Sequence, residues 1–352
     1  QAEDGIRDIG VTGVQTCALP IWRKRMLIVS IATFGVFSLL TLLAWDYHSL
    51  LAARFATGLG LGGALPCLIT IASENSSSRA RGFAVALMYC GMPLGGAIVS
   101  LVAVVGGTDW HLIFLSGGIG PLLLVPIVAI GLHDSHVLRA AEVDLPPRAG
   151  LVAALFGEGR AISTSLLWVA FGLTLLVLYL LLNWLPSLLV SRGLSKAGAS
   201  EVQIAFNVGG ALGSVLVGWL IDRRDRRAVT VASFGITVVF LFVMAAVPAQ
   251  FALAIVVGAL VGVGIMSNQA LLYGLAPRCY PAGVRGTGVG AAVAAGRVGS
   301  LAGPIVAGQL LGAGQSAAEV IYAMLPIYMV GAIATLALSA RASFNADSGE
   351  TK

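Results

Sequence analysis

The sequence predicts an all-α membrane protein of about ten crossing helices, divided four and six. Three observations predict it: a composition too apolar for water, apolar runs of spanning length, and basic residues confined to alternate breaks between those runs. Hydrophobic residues make up 58% of the 352 and charged residues 11%, with a mean hydropathy of +0.94. A soluble domain carries about 25% charge and 45–50% apolar residues. In hydrocarbon every backbone amide must be satisfied within its own segment, so apolar runs of ~20 residues form helices. A barrel would show ~10-residue alternating strands, and the sequence has none.

Taken in order, the chain opens on a segment set apart from the rest. Residues 1–21 are mixed and polar, contain no span, and resemble the translated read of a sequencing adapter, so a non-native leader is expected there. Trp22-Arg23-Lys24-Arg25 follows, and then apolar runs at 26–45, 49–71, 82–105 and 111–131, the remainder of a first bundle over 22–131. Residues 132–163 form the one long break, read as a central loop, where Leu145-Pro146-Pro147-Arg148 cannot continue a helix. A six-helix bundle over 164–341 holds runs at 164–187, 201–221, 229–247, 251–275, 284–311 and 318–340, with a tail at 342–352.

Charge placement sets orientation. Sixteen of the 21 Lys and Arg residues fall in one set of breaks and the tail, against only Arg192 and Lys196 in the opposite set. That bias puts the first set, and with it the C-terminus, in the cytoplasm. The net charge of +5 is therefore topological; the expected partner is the lipid bilayer of the plasma (inner) membrane, and nucleic acid is excluded. Cys17, Cys67, Cys90 and Cys279 show neither pairing nor metal-ligand spacing and read as small apolar fillers, so no metal is expected.

The four-and-six division follows from an internal repeat. Arg81-Gly82 and Arg285-Gly286 each open a span 204 residues apart, and the same offset carries Gly95 onto Gly299. It carries the span at 164–187 to positions before the chain starts. The expectation is a six-plus-six fold whose first two helices are missing.

The sharpest motif is the loop from Gly218 to Arg227, with Asp222, Arg223, Arg226 and Arg227 as candidate gate residues. An acid flanked by guanidiniums at a helix end can lock neighbouring helix termini in one conformation and release them in another. Two further arginines lie within spans. Arg54 stands near the end of its run and can snorkel, whereas Arg297 is near the middle of 284–311. No Asp or Glu occupies the interior of any span, so an anion for Arg297 comes from a substrate or from other helices. Uncharged polar candidates are Tyr179, Asn183, Trp184, Gln203, Asn207, Asn268, Gln269 and Tyr273; such groups either line a wet cavity or tie helices together. Tyr179, Trp184 and Tyr273 offer flat apolar surface for a ring. Glycine pairs at 91/95, 209/213 and 299/303 read as packing seams.

Other classes are poorly served. There is no G-x-x-x-x-G-K-[ST] loop, so ATP is not the drive within this chain. A membrane enzyme needs paired acids, a Ser/His couple or metal ligands within the spans, and His48, His111, His133 and His136 all lie at or beyond span ends. No catalytic residue is assigned.

The Gly218-x-x-x-Asp222-Arg223-x-x-Arg226-Arg227 loop resembles the one that joins the second and third helix of each half in the major facilitator superfamily. Arg54 to Gly63, Ala64-Leu65-Pro66, Ser73-Glu74, Leu87 to Gly95, Asn183-Trp184-Leu185-Pro186, Arg285 to Gly290, Gly296-Arg297 and Gly303-Pro304 resemble its aromatic acid:proton symporters. The resemblance is greatest to carriers of 3-phenylpropionate and its hydroxylated forms. It implies a monomeric symporter that imports a small aromatic carboxylate, driven by the proton gradient with no cofactor. Arg297, Arg54, Tyr179, Asn183, Trp184, Asn207, Asn268, Gln269 and Tyr273 are the candidate substrate residues. The family's first-helix aspartates have no counterpart here. Two readings share the fold: an exporter of drugs or other organic compounds, favoured by outward transport of cations, and a sensor that binds without carrying.

Overall fold

The computed structural model describes residues 23–77, 80–106, 110–132, 151–281 apart from 247 and 249, and 284–347. The leader at 1–21, the larger part of the central loop and the last five residues lie outside them. Ten helices among the described residues are long and apolar enough to cross a membrane. The first four are α1 (Arg23–Leu40, extended by a 3-10 turn at Thr41–Leu43), α2 (Tyr47–Glu74), α3 (Arg81–Gly106) and α4 (His111–Gly131). After a short α5 (Leu151–Phe156) come α6 (Ala161–Ser191), α7 (Lys196–Arg223), α8 (Arg226–Ala246), α9 (Phe251–Leu275), α10 (Arg285–Gly312) and α11 (Ala317–Asp347).

Several helices run past the apolar windows that foretold them, because backbone bonding continues into residues that polar caps stabilise. At the start of α7, Ser195 accepts from the Gly198 amide, and at the start of α2, Asp46 and Ser49 form a reciprocal capping box. Inside the break at 132–163, α5 is a correction to the reading of a plain loop. Its carbonyl ends are collected by α6: Arg160 donates to Ala153 and Ala154 at 3.1 Å each, and Thr164 to Leu155 at 2.7 Å. Its Ala154 and Leu155 are buried. Six residues bind only because a neighbouring helix satisfies them.

The repeat is visible in the element boundaries. The pair α2 and α9 begin 204 residues apart, as do α3 and α10. Packing repeats as well: α1 lies on α2 and α4 as α8 lies on α9 and α11. The halves then diverge. In the second, α10 and α11 pack on α6 and α9 packs on α7, around a core that includes Phe171, Leu178, Phe206 and Leu241. In the first, α3 and α4 flank an apolar cleft of about 480 Å³ lined by residues such as Leu101, Leu112, Leu115 and Ile119.

Two glycine pairs report the same divergence. A methyl group on Gly299 would stand 1.8 Å from the Gly172 carbonyl oxygen of α6, and one on Gly262 2.0 Å from the Phe206 carbonyl oxygen of α7. Their counterparts at the 204 offset, Gly95 and Gly58, would meet nothing within 4 Å among the described residues. The seams expected at 209/213 and 299/303 are therefore present, since Gly209, Gly213 and Gly303 also abut backbone oxygens. The seam expected at Gly91/Gly95 is corrected: neither glycine faces a described helix. Cys67 is disulfide-bonded, not a plain filler, because spacing along the chain says nothing of a bond closed through space. Cys90 and Cys279 are free.

Candidate functional site

The close approach of α10 to α6 sets the position of Arg297. With glycine at 296 and 299, the two backbones come near enough for the Arg297 Nη1 to donate to the Tyr179 hydroxyl at 2.8 Å. One turn and a half down α6, the Thr174 hydroxyl lies 3.1 Å from Gln269 Oε1 on α9. Tyr273 stands on the next turn of the same helix. The Tyr273 ring meets the edge of Phe171 with centroids 5.0 Å apart and the Tyr89 ring of α3 at 5.1 Å. Arg297 lies within electrostatic reach of the Tyr89 and Tyr273 hydroxyls. A guanidinium, three phenols and an amide thus gather between four helices, with aromatic faces alongside.

Of the residues named from sequence, Arg297, Tyr179, Gln269 and Tyr273 come together here. Asn207 lies on α7 against α3: its Nδ2 donates to the Gln203 carbonyl at 3.0 Å, and its Oδ1 faces Gly96. The Asn207 Oδ1, Gln203 Oε1 and Gln269 Nε2 atoms are buried without a hydrogen-bond partner. Asn268 turns the other way, into the α8–α9–α11 core, where it accepts from Ser233 at 2.6 Å and donates to Thr237 and Tyr328 at 3.0 and 2.7 Å. Trp184 donates to the Pro304 carbonyl at 3.1 Å, tying α6 to α10, and Asn183 donates to the Tyr179 carbonyl on its own helix. Arg54 lies 4.2 Å over the Phe114 ring, joining α2 to α4. Tyr89 was missed by the sequence reading. It lies in an apolar run without the nearby Asn or Gln that accompany Tyr179 and Tyr273.

At the basic end, Asp222 caps the opposite half. It closes α7, and its carboxylate accepts from the Gly82 amide at 3.2 Å and the Phe83 amide at 2.7 Å, the first turn of α3. Free N–H groups and the helix dipole both favour an anion there. A methyl group at position 82 would stand 2.6 Å from Asp222 Oδ1, which is why glycine follows Arg81. Arg278 adds a cation at 3.9 Å. The neighbouring arginines bond within their own half: Arg223 lies 4.5 Å over Trp219, and Arg227 donates to the Ala340 carbonyl of α11. Arg226 keeps a buried, unbonded Nε. Beside them Tyr280 is hydrogen-bonded to Thr164 at 3.0 Å, and burial pushes its phenol pKa up.

The family model for the Major Facilitator Superfamily matches residues 21–304 and, separately, 196–348. The 3-(3-hydroxy-phenyl)propionate transporter of Escherichia coli (strain K12) is 40% identical over 322 residues, 91% of this chain and 79% of that protein. A 4-hydroxybenzoate transporter of Pseudomonas aeruginosa is 31% identical over 90% of this chain and 77% of its own length. Among solved structures, a proton:xylose symporter shares the fold with a TM-score of 0.69 at 15% identity, covering 92% of this chain and 83% of that one. A human organic anion transporter aligns over 92% of this chain and 81% of its own, with a TM-score of 0.67 at the same identity. The chain belongs to the major facilitator superfamily.

Proposed function

We propose that this member of the major facilitator superfamily is a secondary transporter that imports a small aromatic carboxylate together with protons, by alternating access. The observation that carries the reading is Arg297, a guanidinium in the middle of a span whose one bonded partner among the described residues is the neutral Tyr179 hydroxyl. A cation at that depth calls for an anion, and the guanidinium fork matches a carboxylate. Tyr273 and Phe171, packed edge to face, supply aromatic surface beside it. The relatives named above, carriers of hydroxylated aromatic acids, support the same substrate class. Gln269, Asn207 and Arg54, with unpartnered buried polar atoms, are further candidates for contact with the ligand, while Asn268, Asn183 and Trp184 are bonded to helix partners in this conformation. Asp222, by holding the first turn of α3, acts as the lock at the cytoplasmic end.

Proton coupling requires a titratable group. No Asp or Glu stands in the interior of a span, and the family resemblance assigns that role to acids of a first helix.

The test is exchange in proteoliposomes containing this chain. Internal unlabelled 3-phenylpropionate should drive entry of the labelled acid. Preference for an aromatic cation would contradict the substrate class. Binding without exchange would make the protein a sensor.

A further inference from the structure

We infer that Tyr89 is a substrate-specificity residue, the first half's own donor to the carboxylate held by Arg297. The inference rests on the proposed function. Tyr89 is 1% exposed and its hydroxyl has no hydrogen-bond partner. Buried hydroxyls are almost always bonded, and an orphan marks a place where something else supplies the partner. Its surroundings define that partner. The hydroxyl lies within electrostatic reach of Arg297, Tyr179 and Tyr273. Arg297 offers only donors and so supplies no acceptor for the Tyr89 O–H. The missing group is therefore an acceptor, and the cation beside it selects an anionic one.

A carboxylate has acceptor capacity for both. It can take the remaining Arg297 N–H groups on one side and the Tyr89 O–H on the other. The arrangement also distinguishes Tyr89 from the other phenols by its place in the fold. Arg297, Tyr179, Gln269 and Tyr273 all stand on second-half helices, whereas Tyr89 stands on α3. It lies two turns above Gly82 and Phe83, the amides that Asp222 holds. A carboxylate bonded to both Arg297 and Tyr89 spans the halves on the same helix that the gate grips. Occupancy of the site is thereby felt by the element that must move.

The experiment is equilibrium binding of 3-phenylpropionate and of its uncharged amide to the full chain and to Tyr89→Phe, in detergent, with thermal unfolding recorded for both proteins. Phenylalanine keeps the ring against Tyr273 and removes only the hydroxyl. The expected result is a roughly tenfold or greater rise in the dissociation constant for the acid, the consequence of losing one hydrogen bond to a charged group. The amide should bind the two proteins alike and the unfolding temperatures should agree. Unchanged affinity for the acid in Tyr89→Phe overturns the inference and leaves the proposed function standing. Equal weakening of acid and amide overturns it too, by showing that Tyr89 only shapes the wall. Failure of the parent chain to bind the acid overturns the proposed function and this inference with it.

Discussion

Asp222 and Arg297 are the two charged side chains whose positions the physics constrains most tightly. Asp222 holds two amides of α3 across the boundary between the halves. Removing its charge in Asp222→Asn costs about 0.3–1 kcal/mol of helix-dipole interaction, little for the fold but a sizeable share of the few kcal/mol that separate conformers. Transport should therefore fall several-fold while membrane insertion and expression stay near parental levels; equal losses in all three would make Asp222 a folding anchor. Both charges were legible in the sequence, because a charge in or beside an apolar run announces itself. Their partners were not. Gln269 reaches the Arg297 group while its neighbour Asn268 turns into a core, since adjacent residues on a helix point about 100° apart. Sequence alone does not say which of the two faces the centre.

At the scale of helices, most of the structure could be read in advance. Runs at 111–131 and 251–275 match α4 and α9 to the residue, because hydropathy falls sharply at both ends of each. The short α5 could not be read: six residues have no hydrophobic period of their own and are held by Arg160 and Thr164. The glycine seams were half legible. Small residues at four-residue spacing show that a close approach is possible, but not which helix makes it. This yields a paired test. Gly299→Leu forces a side chain into the Gly172 carbonyl and should destabilise the chain by about 1–3 kcal/mol. Gly95→Leu, its counterpart, meets open space and should leave thermal unfolding in detergent unchanged. A matched loss in both variants would mean that α3 is packed where the structure leaves it bare.

Across the whole molecule, the repeat, the charge bias and the site make one account. The bias predicts an orientation that accessible positions can report. Arg224→Cys should react only with thiol reagents that reach the cytoplasm and Lys196→Cys only from outside, both being exposed; labelling of position 224 from outside would invert the topology. The fold's two halves were visible as a 204-residue offset, whereas the site formed between α3, α6, α9 and α10 was not, because it depends on how the halves meet. The central claim is that this meeting place reads the negative charge of an aromatic acid through Arg297. The most direct measurement is binding of 3-phenylpropionate and its amide to the chain and to Arg297→Lys. Lysine keeps the charge but not the fork. Loss of a charge-assisted bond of about 1.5–3 kcal/mol should raise the dissociation constant for the acid ten- to a hundredfold, with the weakly bound amide indifferent to the change. Equal losses for acid and amide would contradict the account, leaving Arg297 as a tie between helices.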